Sequence, residues 1–185
     1  MQAYMLYDNE FNTLSFQTLH DQVMHYLQSK GFNIIERGIG KGDLDYCMGC
    51  FGCWIKKPGE CVIPDTMADI NRDYIQSDVV ACLCPVVFGQ FSANIKNALD
   101  RWIPNVLPFF GKRPDGSTTH PGRYESYPKQ IMIGYADDAT DEDIQLFHDI
   151  TRKHRREVDT LWYHHGDDLS HDLSSITLQR VGVAL

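Results

Sequence analysis

The sequence predicts an α/β fold, a three-layer sandwich in which a five-stranded parallel sheet lies between two layers of helices. Short apolar runs alternate along the chain with segments in which apolar residues recur every three or four positions. Strands and helices that alternate with short connections form parallel sheets joined by right-handed crossovers. A length of 185 residues is typical of one domain, so we expect residues 1–185 to form a single one.

The first half of the chain supplies two predicted strands and two predicted helices. Residues 3–7 and 32–39 are apolar runs typical of strands. An irregular segment rich in Gly and Cys, residues 38–64, follows the second strand, and Asp65 can cap the next helix. Between the two strands, residues 12–30 carry an apolar stripe at helical spacing, formed by Phe16, Leu19, Val23 and Leu27.

A central strand and a further helix begin the second half. Residues 78–84 are apolar almost throughout, as in a parallel strand that is covered on both faces. Ser92 can cap a helix that ends near Pro104. A long loop with several prolines follows that helix.

The last part of the chain completes the predicted sheet. Residues 129–135 predict the fourth strand, and Thr140 opens a helix whose apolar stripe extends to Leu161. Residues 176–185 predict the fifth strand. A doubly wound sheet normally places a helix after that strand, so we expect the final helix to be missing.

Composition excludes several classes of protein. The chain is 43% hydrophobic and 23% charged, which is ordinary for a globular protein. Its formal net charge of -8 argues against binding nucleic acid or an anionic membrane surface. No apolar run reaches the ~18 residues of a membrane-spanning helix, and no basic segment precedes a long apolar one, as in a secretory signal. We therefore expect a cytoplasmic protein with no membrane or nucleic-acid partner.

Four of the six cysteines are clustered. Cys47, Cys50 and Cys53 form a C-x2-C-x2-C motif, and Cys61 follows after seven intervening residues. Thiolates at this spacing on a compact loop are the usual ligands of a [4Fe–4S] cluster. Zinc ranks second because it usually takes two well-separated C-x2-C pairs, and four thiols without a metal are the remaining interpretation.

The other two cysteines lie two positions apart in the predicted central strand. Cys82 and Cys84 therefore point to the same face of the sheet, where a cysteine behaves as a small core residue. Cys84 directly precedes Pro85 at the end of the strand, so it can also border a ligand site.

Two stretches of the chain together resemble a known family. Residues 47–67 contain the cysteine motif, and residues 85–101 read Pro-Val-Val-Phe-Gly-Gln-Phe-Ser-Ala-Asn-Ile-Lys-Asn-Ala-Leu-Asp-Arg. They resemble the flavodoxin-like NADPH-dependent FMN reductase superfamily, in particular its iron–sulfur flavoprotein branch, and His120-Pro-Gly-Arg-Tyr124 is similar to that branch as well.

The resemblance implies a fold, cofactors and partners. The fold is a flavodoxin-like sandwich, and the cofactors are FMN and, in the branch that carries the cysteines, a [4Fe–4S] cluster on Cys47, Cys50, Cys53 and Cys61. The electron donor is NAD(P)H or a protein, and the chain forms a homo-oligomer, a dimer or tetramer. No catalytic residue is implied, because the cofactors supply the chemistry.

The expected flavin contacts lie on three loops. Ligands of such sheets bind beyond the carboxyl ends of the strands. The loop after the third strand can lay its backbone along a flavin edge, although Val87 stands where the family commonly has Tyr. The expected cofactor-binding residues are Asn12, Thr13, Ser15, Pro85, Val86, Val87, Phe88, Gly89, Gln90, Tyr135 and Ala136.

The first of these loops departs from the family. It lacks the family's Gly-Ser and basic residue and contains Asp8 and Glu10 instead. Each carboxylate is expected to repel a phosphate dianion by about 1 kcal/mol at solvent-screened contact. This departure motivates a second hypothesis, a degenerate flavodoxin-like domain that binds no FMN and serves as a metal-binding or interaction module.

Two further groups of residues carry weaker signals. His120 and Arg123 lie in the long loop, and we expect them to border the flavin pocket or a partner subunit, since long loops are often functional. His164, His165, Asp167, Asp168 and His171 match no standard metal-ligand spacing, so a solvated connection explains them better.

Overall fold

The computed structural model describes residues 1–113, 116–154 and 158–182. In chain order its strands are β1 (Gln2–Asp8), β2 (Asn33–Ile39), β3 (Val79–Val87), β4 (Gln90–Phe91), β5 (Gly111–Lys112), β6 (Thr118–Thr119), β7 (Ser126–Tyr127), β8 (Lys129–Tyr135), β9 (Val158–Tyr163) and β10 (Val181–Gly182). Its helices are α1 (Leu14–Ser29), α2 (Gly52–Ile55), α3 (Met67–Gln76), α4 (Ala93–Asp100), α5 (Asp141–His154) and α6 (Ser170–Ser174), with a 3-10 turn at Ile103–Asn105.

The main sheet has the strand order β2-β1-β3-β8-β9, and every neighbouring pair in that order is parallel. Counting only these five strands, the order is 2-1-3-4-5, which places a topological switch point between β1 and β3. β4 pairs antiparallel with β3 and extends it as a short hairpin. The predicted α/β sandwich with a five-stranded parallel sheet is therefore confirmed.

Alternate residues of each central strand point to opposite faces of the sheet and pack into two separate core layers. On one face, Tyr4 of β1 and Val80 of β3 pack against α3, α4 and α5. On the other face, Met5 and Ala81 pack against α1 and the chain that follows β9. Both Cys82 and Cys84 are buried in the first of these layers.

The fifth strand of the sheet lies earlier in the chain than predicted. The prediction over residues 176–185 is wrong: β9 (Val158–Tyr163) is the strand that pairs with β8. Val158 and Leu161 continue the spacing of the α5 stripe, so a run of β-forming residues was assigned to the end of the helix. Only Val181–Gly182 of the predicted stretch is a strand, paired antiparallel with β7, and residues 183–185 lie outside the described chain.

The expectation of a missing final helix is also corrected. The five-residue helix α6 follows β9. Leu169 and Leu173 are buried with α1 in the second core layer. A short helix thus covers the part of the sheet that the final helix of a doubly wound fold normally covers. None of the helices in the described chain is long and apolar enough to cross a membrane.

Candidate functional site

The loop after β1 leads directly into the start of α1. Thr13 caps the helix, since its hydroxyl oxygen accepts a hydrogen bond from the Phe16 N–H at 3.2 Å. The Asn12 side-chain oxygen accepts from Gln17 Nε2 at 3.1 Å. The Ser15 hydroxyl donates to Asp137 Oδ1 at 2.6 Å. All three predicted side chains of this loop therefore have partners within the protein.

Asp8, at the carboxyl end of β1, is fully buried. Its carboxylate accepts hydrogen bonds from the Ser92 hydroxyl at 2.6 Å, from Asn94 Nδ2 at 3.0 Å and from the Glu10 N–H at 3.0 Å. Ser92 and Asn94 lie at the start of α4, so the carboxylate joins β1 to that helix across the switch point. Asp8 is thus an internal anchor rather than a charge presented to a ligand. Glu10 is exposed, and its carboxylate accepts from the Lys41 N–H.

The loop after β3 is a tight hairpin. Phe88 and Gly89 have φ angles of +51° and +71°, as in a two-residue type I′ turn. A Cβ on Gly89 would lie 2.7 Å from Leu146 Cδ2, so the turn rests against α5 with no room for a side chain. Pro85 and Val86 are buried below it, whereas the Phe88 ring is 91% exposed and Val87 and Gln90 are exposed beside it.

The loop after β8 meets the first loop. Tyr135 is buried, and its hydroxyl donates to the Phe11 carbonyl at 3.4 Å. Burial raises the pKa of this phenol, and the neighbouring Cys84, Asp8 and Asp137 raise it further. The next residue, Ala136, is half-buried.

The three loops predicted to hold the cofactor therefore meet at one edge of the sheet. Ser15–Asp137 and Tyr135–Phe11 join the first loop to the third, and Asp8–Ser92 joins the first to the start of α4. The hairpin after β3 leaves the apolar side chains of Val87 and Phe88 exposed at this edge. The Ser15 hydroxyl, at the start of α1, can donate to a ligand only by leaving Asp137.

The cysteine loop leaves the carboxyl end of β2 and packs along α4. Asn97 Nδ2 of that helix donates to the Leu44 carbonyl at 3.1 Å, just before the first cysteine. Gly49 and Phe51 have φ angles of +65° and +51°, which let the backbone curl between the thiols. A Cβ on Gly52 would lie 2.8 Å from Val62 Cγ1, so a larger residue here would require Val62 to move.

All four predicted ligand cysteines line one cavity, together with Arg101. Cys47 and Cys50 are exposed, Cys61 is half-buried and Cys53 is buried. Burial raises the pKa of the Cys53 thiol, and the proximity of Cys61, Cys47 and Cys50 raises it further. No disulfide links any of the six cysteines, all of which lie in the described part of the chain.

The donor set suits an iron–sulfur cluster, since four cysteine thiolates are its ordinary ligands. Within residues 1–113, 116–154 and 158–182, no three His, Cys, Asp or Glu side chains converge closely enough to hold a metal ion. The four sulfurs thus share a cavity wall at a wider spacing than a loaded site has, and binding a cluster requires them to draw together.

Arg101 is almost fully buried behind the cysteine loop, with 1% of its surface exposed. Its Nη2 donates to the Cys61 sulfur at 3.1 Å and to Asp65 Oδ1 at 2.9 Å. Its Nη1 donates to the Asp45 carbonyl at 2.9 Å and to the other Asp65 carboxylate oxygen. The guanidinium therefore holds three parts of the chain together and points one N–H at a predicted ligand sulfur.

Aromatic rings form the outer wall of the cysteine loop. Trp54 Nε1 donates to the Val106 carbonyl at 2.9 Å, and its ring stacks on Phe51 with centroids 5.2 Å apart. The centroid of the His120 ring lies 5.0 Å from that of Trp54. Arg123 Nε donates to the Pro104 carbonyl at 2.8 Å. His120 and Arg123 thus lie beside the cysteine loop, and their predicted contact with a flavin or a partner subunit stays a prediction.

The histidine-rich stretch after β9 is an exposed connection. The Asp167 carboxylate accepts from the His164 N–H at 3.0 Å, and the Asp168 carboxylate accepts from the Ser170 N–H at 2.9 Å. These contacts stabilise a turn and the start of α6.

Sequence reasoning missed the residues that hold the site together. Asp8 and Ser92 are 84 positions apart, and Arg101 and Cys61 are 40 apart. Each residue type is ordinary in its own local context: an acid at a strand end, a serine at a helix start, an arginine at a helix end. The one available signal was that Arg101 belongs to the second stretch of the family resemblance.

Known proteins with similar sequences each match only part of this chain. No family model matches it. It is 33% identical over 94 residues, 51% of its length, to an iron–sulfur flavoprotein from Archaeoglobus fulgidus. It is 28% identical over 78 residues, 42% of its length, to an iron–sulfur flavoprotein from Methanocaldococcus jannaschii. These matches cover 40% and 39% of the relatives, so the chain spans about two fifths of the curated proteins it matches.

A solved structure supports the fold along nearly the whole chain. The chain superposes on an NAD(P)H:quinone oxidoreductase from Methanothermobacter marburgensis with a TM-score of 0.64, covering 94% of this chain and 90% of that one at 14% identity. The sandwich is therefore flavodoxin-like, as predicted. The predicted resemblance to iron–sulfur flavoproteins is also confirmed, as a similarity over about half of the chain.

Proposed function

We propose that this chain is an FMN-dependent NAD(P)H oxidoreductase that transfers electrons between FMN and a [4Fe–4S] cluster held by Cys47, Cys50, Cys53 and Cys61. The observation that carries the proposal is that these four cysteines line one cavity in a protein with the flavodoxin strand order. The names of its sequence relatives, iron–sulfur flavoproteins, support it.

The cluster would supply one-electron transfer, and the chain supplies the cavity in which it is held. Gly49 and Gly52 keep side chains away from the curled backbone between the ligands. Cys53 is buried and Cys61 half-buried on the inner wall, whereas Cys47 and Cys50 are exposed and form the outer rim. Partial burial protects the site while leaving the rim open to an electron partner.

The flavin would accept a hydride and release electrons singly, and the chain positions it. The Phe88 side chain, 91% exposed on the hairpin, offers the ring an apolar surface. Thr13 and Ser15, at the start of α1, lie where a phosphate would bind a helix N-terminus. No acid or base of the protein is needed, because the cofactors carry the chemistry.

We also propose an electron donor and an assembly state for the whole protein. NAD(P)H is the proposed electron donor, in keeping with the name of the structural neighbour, and a protein donor is the alternative. We also propose one flavodoxin-like domain over residues 1–185 that assembles as a homo-oligomer, a dimer or tetramer. A cytoplasmic location stays a prediction from the sequence.

The second candidate is a degenerate domain that binds metal or a partner but no FMN. It is favoured by one observation, namely that the Ser15 hydroxyl is already paired with Asp137 in the place of a phosphate. The two candidates differ in whether the purified protein retains and rebinds flavin.

Anaerobic purification with counting of iron, sulfide and flavin tests the proposal. We expect about four irons and four sulfides per chain and a reducible absorbance shoulder beside the flavin bands. Cys53→Ala should lose the iron, whereas the matched control Cys82→Ala, at a buried cysteine outside the loop, should retain it. A folded, colourless protein that stays colourless after reconstitution with iron, sulfide and FMN would exclude the proposed function, and a cluster without flavin would favour the second candidate.

A further inference from the structure

We propose that Arg101 sets the reduction potential of the cluster by donating a hydrogen bond to the Cys61 sulfur, and that Asp65 limits the size of this effect. The inference rests on the proposed function, since it requires a cluster at the four cysteines. Arg101 is then a positioning residue that acts on the cluster through one of its ligands.

The guanidinium is built into the wall of the cysteine cavity. It is 1% exposed, and its Nη2 lies 3.1 Å from Cys61 Sγ. Both of its terminal nitrogens also bond the Asp65 carboxylate as a planar fork, which fixes the direction of the N–H that reaches the sulfur. A lysine in its place would keep the charge but lose this fixed geometry.

Asp65 is itself fixed in place. Its Oδ1 accepts from the Met67 N–H at 3.0 Å, and its Oδ2 accepts from the Asp45 N–H at 3.0 Å. These two N–H groups hold the carboxylate beside the guanidinium. The result is a buried ion pair of almost no net charge with one polarised N–H directed at the cluster ligand.

The direction of the effect follows from electrostatics. Hydrogen bonds to cluster sulfurs and nearby positive charge favour the reduced, more negative state. Arg101 therefore makes reduction easier. Asp65 opposes it, because a carboxylate beside the guanidinium cancels most of the cation's field at the cluster.

Two substitutions should shift the potential in opposite directions. In a dithionite titration followed by the electron paramagnetic resonance of the reduced cluster, one electron passes from dithionite to each cluster. Arg101→Gln should make reduction about tenfold less favourable, equivalent to a midpoint 59 mV lower for one electron. Asp65→Asn should make it about tenfold more favourable, because the guanidinium is then uncompensated. The control Arg37→Gln removes a half-exposed arginine that pairs with Asp73 and should leave the midpoint unchanged.

These opposite signs separate tuning from a structural role. If Arg101 and Asp65 only held the loop together, both substitutions would lower cluster content or move the midpoint in the same direction. Either result overturns the inference. A midpoint that stays constant in every folded variant overturns it as well.

A measurement on the unmodified chain guards against variants that fail to fold. With ¹⁵N-labelled arginine, pulsed electron paramagnetic resonance of the reduced cluster should detect a weakly coupled ¹⁵N nucleus, which Arg101→Lys abolishes. A wild-type cluster without that coupling overturns the inference and leaves the proposed function standing. Wild-type protein that contains no iron or sulfide after reconstitution overturns both.

Discussion

Replacing Asp137 with Asn should strengthen the binding of FMN. The Asp137 carboxylate accepts the Ser15 hydroxyl at 2.6 Å, at the start of α1, where the flavin phosphate is proposed to bind. In the wild-type protein a phosphate must compete with this carboxylate for the hydroxyl and must approach its negative charge. The substitution removes the charge and leaves a side chain of the same shape.

The size of the effect follows from the geometry of this contact. A phosphate that takes over the Ser15 hydroxyl lies about 5 Å from the carboxylate, where two unit charges in water repel by about 0.8 kcal/mol. Asp137 is exposed, so salt screening roughly halves the repulsion of a dianion, to about 1 kcal/mol. The dissociation constant for FMN should fall about fivefold.

Titration of flavin fluorescence with FMN and with riboflavin measures the effect. Riboflavin has the same ring and no phosphate, so its affinity should not change in Asp137→Asn. Asp138→Asn, at the next exposed carboxylate, is the matched control and should have the smaller effect on FMN. Equal strengthening for both flavins, or none for FMN, would refute the assignment of the phosphate to Ser15.

Three further predictions concern the framework of the site. Gly89→Ala should destabilise the hairpin by roughly 1–3 kcal/mol, because its Cβ would contact Leu146 at 2.7 Å and the φ of +71° disfavours a side chain; urea unfolding measures this, and an unchanged midpoint would contradict it. Asp8→Ala should cost about 1–3 kcal/mol on the same assay, since it leaves the buried Ser92 hydroxyl without its acceptor, whereas Asp138→Ala should be neutral. Burial opposes ionisation of Asp65, but the hydrogen bonds from Arg101 and from the Met67 and Asp45 N–H groups together outweigh it and lower the carboxyl pKa. The stability from this pair should therefore be complete above the unfolded pKa of about 3.9 and lost progressively as pH falls from there through the lower folded pKa, a loss that Asp65→Asn should abolish in acid unfolding curves.

Local patterns in the sequence were sufficient for most of the fold. The stripe of Phe16, Leu19, Val23 and Leu27 predicted α1 because helical spacing depends on residues within a few turns. The strand β9 was missed because Val158 and Leu161 keep the phase of the preceding helix, and only pairing with β8 distinguishes the two structures.

In the candidate site, too, local features could be predicted from the sequence and contacts between distant residues could not. The cysteine motif is local, so its spacing was enough to predict that the four cysteines share one site, and they line one cavity. The contacts that shape the site, such as Asp8 with Ser92 and Arg101 with Cys61, join residues far apart in the chain. Such contacts depend on how the layers pack, which no local spacing records.

Trp54 gives the cysteine loop an optical reporter of its own. It is one of three tryptophans, directly follows Cys53, and has its indole N–H fixed by the Val106 carbonyl and its ring stacked on Phe51. An iron–sulfur chromophore in the adjacent cavity would quench the emission of this ring by energy transfer. Filling and emptying of the loop can therefore be followed in real time through intrinsic fluorescence, without a label attached to any cysteine.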